Sequence, residues 1–231
     1  LHTLKKKPYS IPYVTSYYKK YWGFCSSHVE KRKFLKKYTI KDKFKVVINS
    51  NFRKKGKLRY AEYFLKGKSK QEILISTYVC HPSLANDNLS GIMVSMALIN
   101  FFMKKKDLKK SLRFIFVPET IGSIAFLNKN LDQLKRNIIG GYNLTCIGDE
   151  KKHSCMFSKY QNSQSDNALK KAYDKLKIKY KIYSFLERGS DERQYNSPGI
   201  DLPISSIFRS KYDKFKEYHT SDDDFKLVTK K

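Results

Sequence analysis

From about residue 70 onward, apolar runs of strand length alternate with longer runs of helical period. This alternation constrains the chain more than any other feature. Glu72 to Val79 is a predicted strand with Ile73, Leu74 and Ile75 near its centre. Leu89 to Phe102 carries a dense apolar face and is predicted as a mostly buried helix. Ser111 to Val117 is a strand, Ile121 to Asn128 a helix and Gly141 to Ile147 a strand. Ser165 to Lys177 is a helix with Asp166 early and lysines late, the order the helix dipole favours. Ile182 to Phe185 and Pro203 to Phe208 complete the strands. Strand and helix in this order predict an α/β domain with a largely parallel sheet.

The segment before residue 70 reads differently. It has aromatic stretches at Tyr17-Tyr18 and Tyr21-Trp22, and predicted strands at Phe44 to Ile48 and Leu58 to Leu65, with a turn at Lys54-Lys55-Gly56-Lys57. We expect residues 1–68 to form part of a small β-rich unit that leans on the α/β domain of residues 69–231 or on chain outside this sequence. A chain of 231 residues suits such a division.

Composition narrows the function classes. The net charge of +27 comes mostly from lysine, with only eight arginines, and the lysines are spread along the whole chain. Base-reading proteins lean on arginine for bidentate contacts. We therefore expect a solvated basic surface and nonspecific polyanion binding at low salt, with no specific nucleic-acid partner. Four cysteines form no CxxC pair, and Cys80 and Cys146 fall in apolar runs, which predicts buried thiols and a reducing, cytoplasmic setting. No run approaches the roughly 20 apolar residues of a membrane span, and no secretory signal opens the chain at Leu1.

In open α/β sheets, ligands bind beyond the carboxyl ends of the strands. The polar residues that follow the predicted strands are His81 with Asn86-Asp87-Asn88, then Glu119-Thr120, then Asp149-Glu150. Arg188, Asp191, Glu192 and Arg193 follow the fourth strand, and Arg209, Glu217, Tyr218, His219 and Asp222 follow the last. Taken singly these have ordinary readings. His81 suits a surface loop, Asp87 a helix cap, and Glu119 a carboxylate beside a helix N-terminus. Asp191 and Glu192 suit ion pairs with Arg188 and Arg193. Together, two histidines and several carboxylates on one rim have the composition of a hydrolytic metal site.

Tyr78-Val-Cys-His81-Pro-Ser followed by Ala85-Asn-Asp87-Asn-Leu-Ser-Gly91 resembles the zinc-dependent aminopeptidase superfamily. The chain more closely resembles bacterial aminopeptidase-like proteins often encoded beside surface-polysaccharide biosynthesis genes. That likeness is carried by Ile11 to Tyr18, Trp22-Gly-Phe-Cys25, Pro118 to Ser123, Leu144 to Asp149, Arg188 to Tyr195, Pro198 to Pro203, Arg209 to Tyr212 and Glu217 to Ser221. The resemblance implies a three-layer zinc-peptidase-like sheet with helices on both faces. It also implies a small inserted β-rich domain, part of which this chain would hold, and a winged-helix unit beyond it.

Residue by residue, the resemblance implies that His81 and His219 are zinc ligands, Asp87 the aspartate that bridges two metals, and Glu119 the general base. Two positions depart: the second glutamate is Thr120, and the third-strand aspartate is Thr145. Without those carboxylates we expect one zinc on His81, Asp87 and His219, with two not excluded by the sequence. Asp149, Arg188, Asp191, Glu192, Arg193, Arg209 and Tyr218 are expected around the substrate. The expectation is a zinc-dependent hydrolase of an amide or peptide bond, acting on a small peptide or an amidated sugar. The alternative is a catalytically altered binding module of surface-polysaccharide biosynthesis.

Overall fold

The computed structural model describes residues 1–14, 21–51 and 53–229. Tyr17-Tyr18 and the rest of the Thr15 to Tyr18 run lie outside the described residues. The strands are β1 (Ala61–Leu65), β2 (Glu72–Tyr78), β3 (Ser111–Val117), β4 (Ile138–Leu144), β5 (His153–Met156), β6 (Tyr180–Tyr183) and β7 (Ile204–Phe208). The helices are α1 (His28–Lys37), α2 (Ser90–Met103), α3 (Ile121–Asn137), α4 (Gln164–Lys175) and the single turn α5 (Glu192–Tyr195).

The strands form one seven-stranded sheet in the order β1-β3-β2-β4-β7-β5-β6. Its centre, β3-β2-β4-β7, is parallel throughout. β1 is antiparallel to β3, and β5 is antiparallel to β7 and parallel to β6. The sheet is therefore mixed at its margins and parallel where the predicted strands alternate with helices.

Alternation along each strand divides the core between two faces. Leu74, Ile115, Val117 and Ile204 pack with Phe126, Leu127 and Leu134 of α3 and Tyr195 of α5. Ile75, Leu112, Phe114 and Leu144 face the other way, against Val94, Leu98, Ile99 and Phe102 of α2. α4 covers that second face farther along, where Leu169 and Tyr173 meet Cys155, Tyr142 and Ile207. Helices thus lie on both faces of the sheet, which makes an α/β sandwich of three layers.

Several local expectations are corrected. Phe44 to Ile48 forms no strand. The strand expected at Leu58 to Leu65 starts at Ala61 and is an edge of the main sheet, paired with β3 from Ala61↔Phe116 to Leu65↔Leu112. α2 is not mostly buried. Only Ser90, Gly91 and Ser95 are buried, while Met93, Met96, Phe101 and Met103 are exposed. A helix laid on a sheet buries one side only, and α2 happens to be apolar on both. Cys80 lies beyond the end of β2 and is exposed, whereas Cys146 is fully buried. Periodicity missed β5, which is only four residues long, and α1, which buries no residue. A capping box marks α1: Ser27 Oγ accepts from Glu30 N at 3.1 Å and Ser27 N donates to Glu30 Oε2 at 3.0 Å.

Among the described residues, no helix is long and apolar enough to cross a membrane.

Candidate active site

The carboxyl ends of β2, β3, β4 and β7 share one rim because these strands are parallel. β2 holds its pairing one residue past Tyr78, with Val79 N donating to Val117 O at 2.8 Å. The chain then turns sharply at His81, whose φ of 55° lies in the left-handed region. The turn from Ala85 to Leu89 that follows is pinned to the strand ends. Asn88 Nδ2 donates to Thr77 Oγ1 at 2.9 Å, and Asn88 Oδ1 accepts from Cys146 N at 3.1 Å. From the end of the chain, Asp223 accepts from Asn86 N at 2.6 Å and Asp87 N at 3.0 Å. Asp87 therefore sits at the head of the sheet with its side chain 99% buried, and it caps nothing: α2 has no side-chain cap.

Three polar atoms meet at this point. Asp87 Oδ2 is 3.3 Å from His219 Nε2 and 3.8 Å from His81 Nδ1. The two imidazole centroids are 4.8 Å apart. All three atoms are buried, and none has a hydrogen-bond partner within the protein. Buried polar atoms without partners are costly, so three converging on one point call for a shared one. Donor atoms about 2.0–2.2 Å from one tetrahedral zinc stand about 3.3–3.6 Å from one another. The 3.3 Å separation lies in that range and the 3.8 Å one just beyond it, and the nitrogen, oxygen, nitrogen donor set is one that a zinc-like ion accepts. Burial also pushes the His81 imidazole below its usual range, toward the neutral form that binds metal.

The other oxygen of Asp87 is engaged differently. Tyr78 Oη donates to Asp87 Oδ1 and lies 2.6 Å from Thr145 Oγ1. The Cys146 thiol approaches the same oxygen at 3.6 Å. Hydroxyls and a thiol thus surround this oxygen, while Oδ2 faces the two histidines.

Glu119 follows β3 and reaches toward the same point. Its Oε2 is 3.7 Å from His81 Nε2, and its Oε1 accepts from Ser190 Oγ at 2.7 Å. Burial, with Asp87 and Glu192 nearby, raises the Glu119 carboxyl to about 7 against the pull of Ser190. Cys80 joins it on that side: ligand atoms of Cys80, His81 and Glu119 fall within 4.8 Å of one another. The next residue, Thr120, has a φ of 61°, and Cys146 and His219 are left-handed as well. Such backbones cost about 1–3 kcal/mol each and gather at functional sites.

The remaining rim residues divide by what they bond. Asp191, fully buried, accepts from Thr120 N at 2.7 Å and Ser123 Oγ at 2.9 Å, which fixes the strained turn after Glu119. Glu192, also buried, accepts from Gly189 N at 2.9 Å, Ser190 N at 3.0 Å and Tyr212 Oη at 2.7 Å. Among the described residues, neither carboxylate forms an ion pair with Arg188 or Arg193. Asp149 is buried and holds Asn86 Nδ2 at 3.2 Å and Ser210 N at 3.0 Å. It braces the turn and does not join the three converging atoms. Arg188 lies over the Phe185 ring, and Arg193 is exposed and donates to Arg188 O at 3.3 Å. Arg209 turns away to His153, 3.2 Å distant. Tyr218 stacks on His219, with centroids 3.9 Å apart and planes at 16°.

Sequence reasoning missed Tyr13, which meets His81 and His219 edge-on at 5.3 and 5.1 Å. It also missed the bracing roles of Tyr78, Ser190 and Asp223. Tyr78 reads as a core aromatic of a strand, and nothing in local spacing ties Tyr13 to residues near the other end of the chain.

Asp191 makes the fold sensitive to pH. Burial raises its carboxyl from 3.8 to about 7. The folded chain then keeps a proton that the unfolded chain releases near 3.8, so this group's contribution to stability declines as pH rises between about 4 and 7. The slope approaches about 1.4 kcal/mol per pH unit. Asp191→Asn keeps an oxygen to accept from Thr120 and Ser123 but has no proton to lose. Unfolding free energies from urea titration are expected to decline less steeply for the metal-free variant than for the metal-free parent between about pH 5 and 7, by about 1 kcal/mol per pH unit. Parallel curves for the two proteins would count against a protonated Asp191.

A family described as a domain of unknown function, DUF4910, matches residues 9–231. The chain belongs to this family. A Clostridium acetobutylicum protein described as a "putative polysaccharide biosynthesis protein with aminopeptidase-like domain" is 43% identical over 233 residues, covering 100% of this chain and 51% of its own length. The crystal structure of a "putative peptidase" from Clostridium acetobutylicum superposes with a TM-score of 0.90 at 39% identity, over 99% of this chain and 52% of that one. The DUF4910 chain thus spans about half the length of these relatives. The zinc aminopeptidase BSAP of Bacillus subtilis matches with a TM-score of 0.61 at 17% identity, over 74% of this chain and 45% of its own. That last likeness is one of fold. The aminopeptidase-like α/β fold, anticipated from the strand-end motifs, is therefore established.

Proposed function

We propose that the chain holds one divalent ion, zinc foremost, on His81, Asp87 and His219, and hydrolyses an amide or peptide bond with Glu119 as general base. The observation that carries this reading is the convergence of three buried, unpartnered donor atoms with Glu119 beside them. An ion there supplies Lewis acidity at the scissile carbonyl and acidifies water. Glu119 Oε2, steadied by the Ser190 bond to Oε1, accepts a proton from the attacking water and passes it to the leaving amine. Tyr13 and Tyr218 flank the two imidazoles and keep solvent from their faces. The substrate class is a small peptide or an amidated sugar. The description of the Clostridium acetobutylicum relative supports a setting in polysaccharide biosynthesis. The free cysteines suit the cytoplasm.

One observation favours a second reading. Thr120 and Thr145 stand where the resemblance places carboxylates, and the Tyr78 hydroxyl lies 2.6 Å from Thr145 Oγ1. A fold altered in this way would serve as a binding module that retains its ligand without cleaving it.

Elemental analysis of protein purified without a metal-affinity tag separates the two, combined with a screen of amide substrates. One zinc per chain, with turnover abolished by a chelator and restored by zinc, supports the hydrolase. One zinc without turnover supports the binding module. Absence of zinc, after zinc is offered to verified folded protein, overturns the metal assignment.

A further inference from the structure

A second cluster of charged and unpartnered groups lies across β7 from the His81 site. β5 runs antiparallel to β7, with Ser154 opposite Phe208 and Cys155 opposite Ile207. One residue farther, Arg209 falls beside His153, and His153 is itself opposite Tyr180 of β6. Cross-strand neighbours share a face, so Arg209, His153 and Tyr180 form a row on the face that α4 covers. Tyr173 of α4 stacks on Tyr180 with centroids 4.3 Å apart and meets His153 edge-on at 6.2 Å. The Arg209 backbone is fixed, its N–H donating to Cys146 O at 2.9 Å and its carbonyl accepting from Ser154 Oγ at 2.7 Å.

The polar groups of this row are incompletely matched. Arg209 Nη1 is 3.2 Å from His153 Nε2. A guanidinium only donates, so the imidazole accepts and is neutral there. Burial and the guanidinium both lower the affinity of His153 for a proton, in keeping with that role. Arg209 Nε and the Tyr173 hydroxyl are buried, and neither bonds to a protein atom. Arg209 and His153, with Lys152, Lys179, Lys181 and one carboxylate, Glu150, line an open cleft of about 500 Å³ in which cations outnumber the acid. Lysines elsewhere on this chain are spread over its surface, but here they surround a fixed arginine in a concavity. Like charges repel, and buried donors without acceptors cost stability. The repulsion falls when a multiply charged oxyanion enters, and the Arg209 guanidinium, which lines the cleft, gains an acceptor. A cleft of this size suits a small molecule, and a forked guanidinium matches phosphate geometry.

We propose that this cleft binds the phosphate or diphosphate group of a small phosphorylated ligand, with Arg209 as its anchor and Lys152, Lys179 and Lys181 neutralising its charge. The site stands apart from the metal reading and does not depend on it.

Calorimetric titration of the whole chain with inorganic pyrophosphate at physiological ionic strength tests this. The expected result is saturable binding of about one pyrophosphate per chain. Arg209→Gln is expected to weaken it about tenfold or more, the scale of a charge-assisted bond. Lys179→Gln/Lys181→Gln changes two exposed side chains without touching the core and is expected to weaken it several-fold. Lys104→Gln/Lys105→Gln removes the same charge at the far end of α2 and is expected to leave the affinity within about twofold. Equal losses in both double-lysine variants would overturn the proposal, because they would mean attraction to the general positive field. Absence of saturable binding, or binding indifferent to Arg209→Gln, would overturn it as well. So would a DNA duplex that binds more tightly than pyrophosphate with the same sensitivity to Arg209→Gln, since the cleft would then follow a nucleic-acid backbone.

Discussion

Glu119→Gln is expected to lower turnover of an amide substrate by about 10²- to 10⁴-fold, the usual contribution of a general base, while zinc per chain stays unchanged. Glutamine keeps the length of the side chain and can still accept the Ser190 hydroxyl, which holds Glu119 Oε1 at 2.7 Å. It does not accept the proton of an attacking water. Because Glu119 is outside the set formed by His81, Asp87 and His219, occupancy and turnover separate cleanly in this variant. Elemental analysis and steady-state kinetics on the same preparation supply both readings. Full turnover would remove Glu119 from the mechanism. Parallel loss of zinc and turnover would instead make Glu119, 3.7 Å from His81, a ligand.

The second large effect is on metal binding. His219→Ala is expected to weaken zinc affinity by more than about 100-fold. Loss of an outer-shell partner alone costs 10- to 100-fold, and a ligand costs more. Three protein donors are the usual complement of a catalytic zinc site, so two leave the ion poorly held. The His219 side chain is about a quarter exposed, and alanine there removes a ring without opening the core. Circular dichroism is expected to match the parent. A variant that retains zinc would shift attention to the other grouping, Cys80, His81 and Glu119, which shares His81 with the first. Loss of that retained zinc in a further Cys80→Ser change would identify it.

The sequence exposes most of the sheet and only the outline of the site. β2, β3, β4, β7, α2, α3 and α4 are legible because each pairs a long apolar face with the period of its element. β5 is four residues with Ser154 and His153 among them, too short and too polar to stand out. α1 is charged on all sides, so its capping box is its only signal. At the rim, position after a parallel strand is enough to single out His81 and Glu119. It does not say which carboxylates remain free. Asp149, Asp191 and Glu192 look alike as rim acids in the sequence. In the structure each accepts several hydrogen bonds that fix a turn, and although Asp191 Oδ2 is unpartnered too, only Asp87 Oδ2 meets unpartnered histidine nitrogens. Partners of that kind come from distant segments, and no local pattern encodes them. Tyr78 illustrates the reverse case. A tyrosine in a buried strand reads as packing, yet its hydroxyl holds one oxygen of Asp87 and leaves the other to the histidines.

The N-terminal strap gives the site a dependence on completed folding. Pro12 bridges to Thr220, Tyr13 N donates to His219 O at 2.8 Å, and Ser221 N donates to Ile11 O at 2.8 Å. The His219 ring is thus gripped by Tyr13 on one side and Tyr218 on the other. Asp223, a few residues on, orients Asp87 from below. The donor set is therefore assembled by residues near both ends of the chain and two turns in its middle. The three donor atoms come from turns far apart in the sequence, so they meet only once the strands between them have paired. In the proposed site, a single backbone cut near residue 13 is expected to release a bound ion before any loss of helix or sheet, read as metal content after dialysis beside circular dichroism.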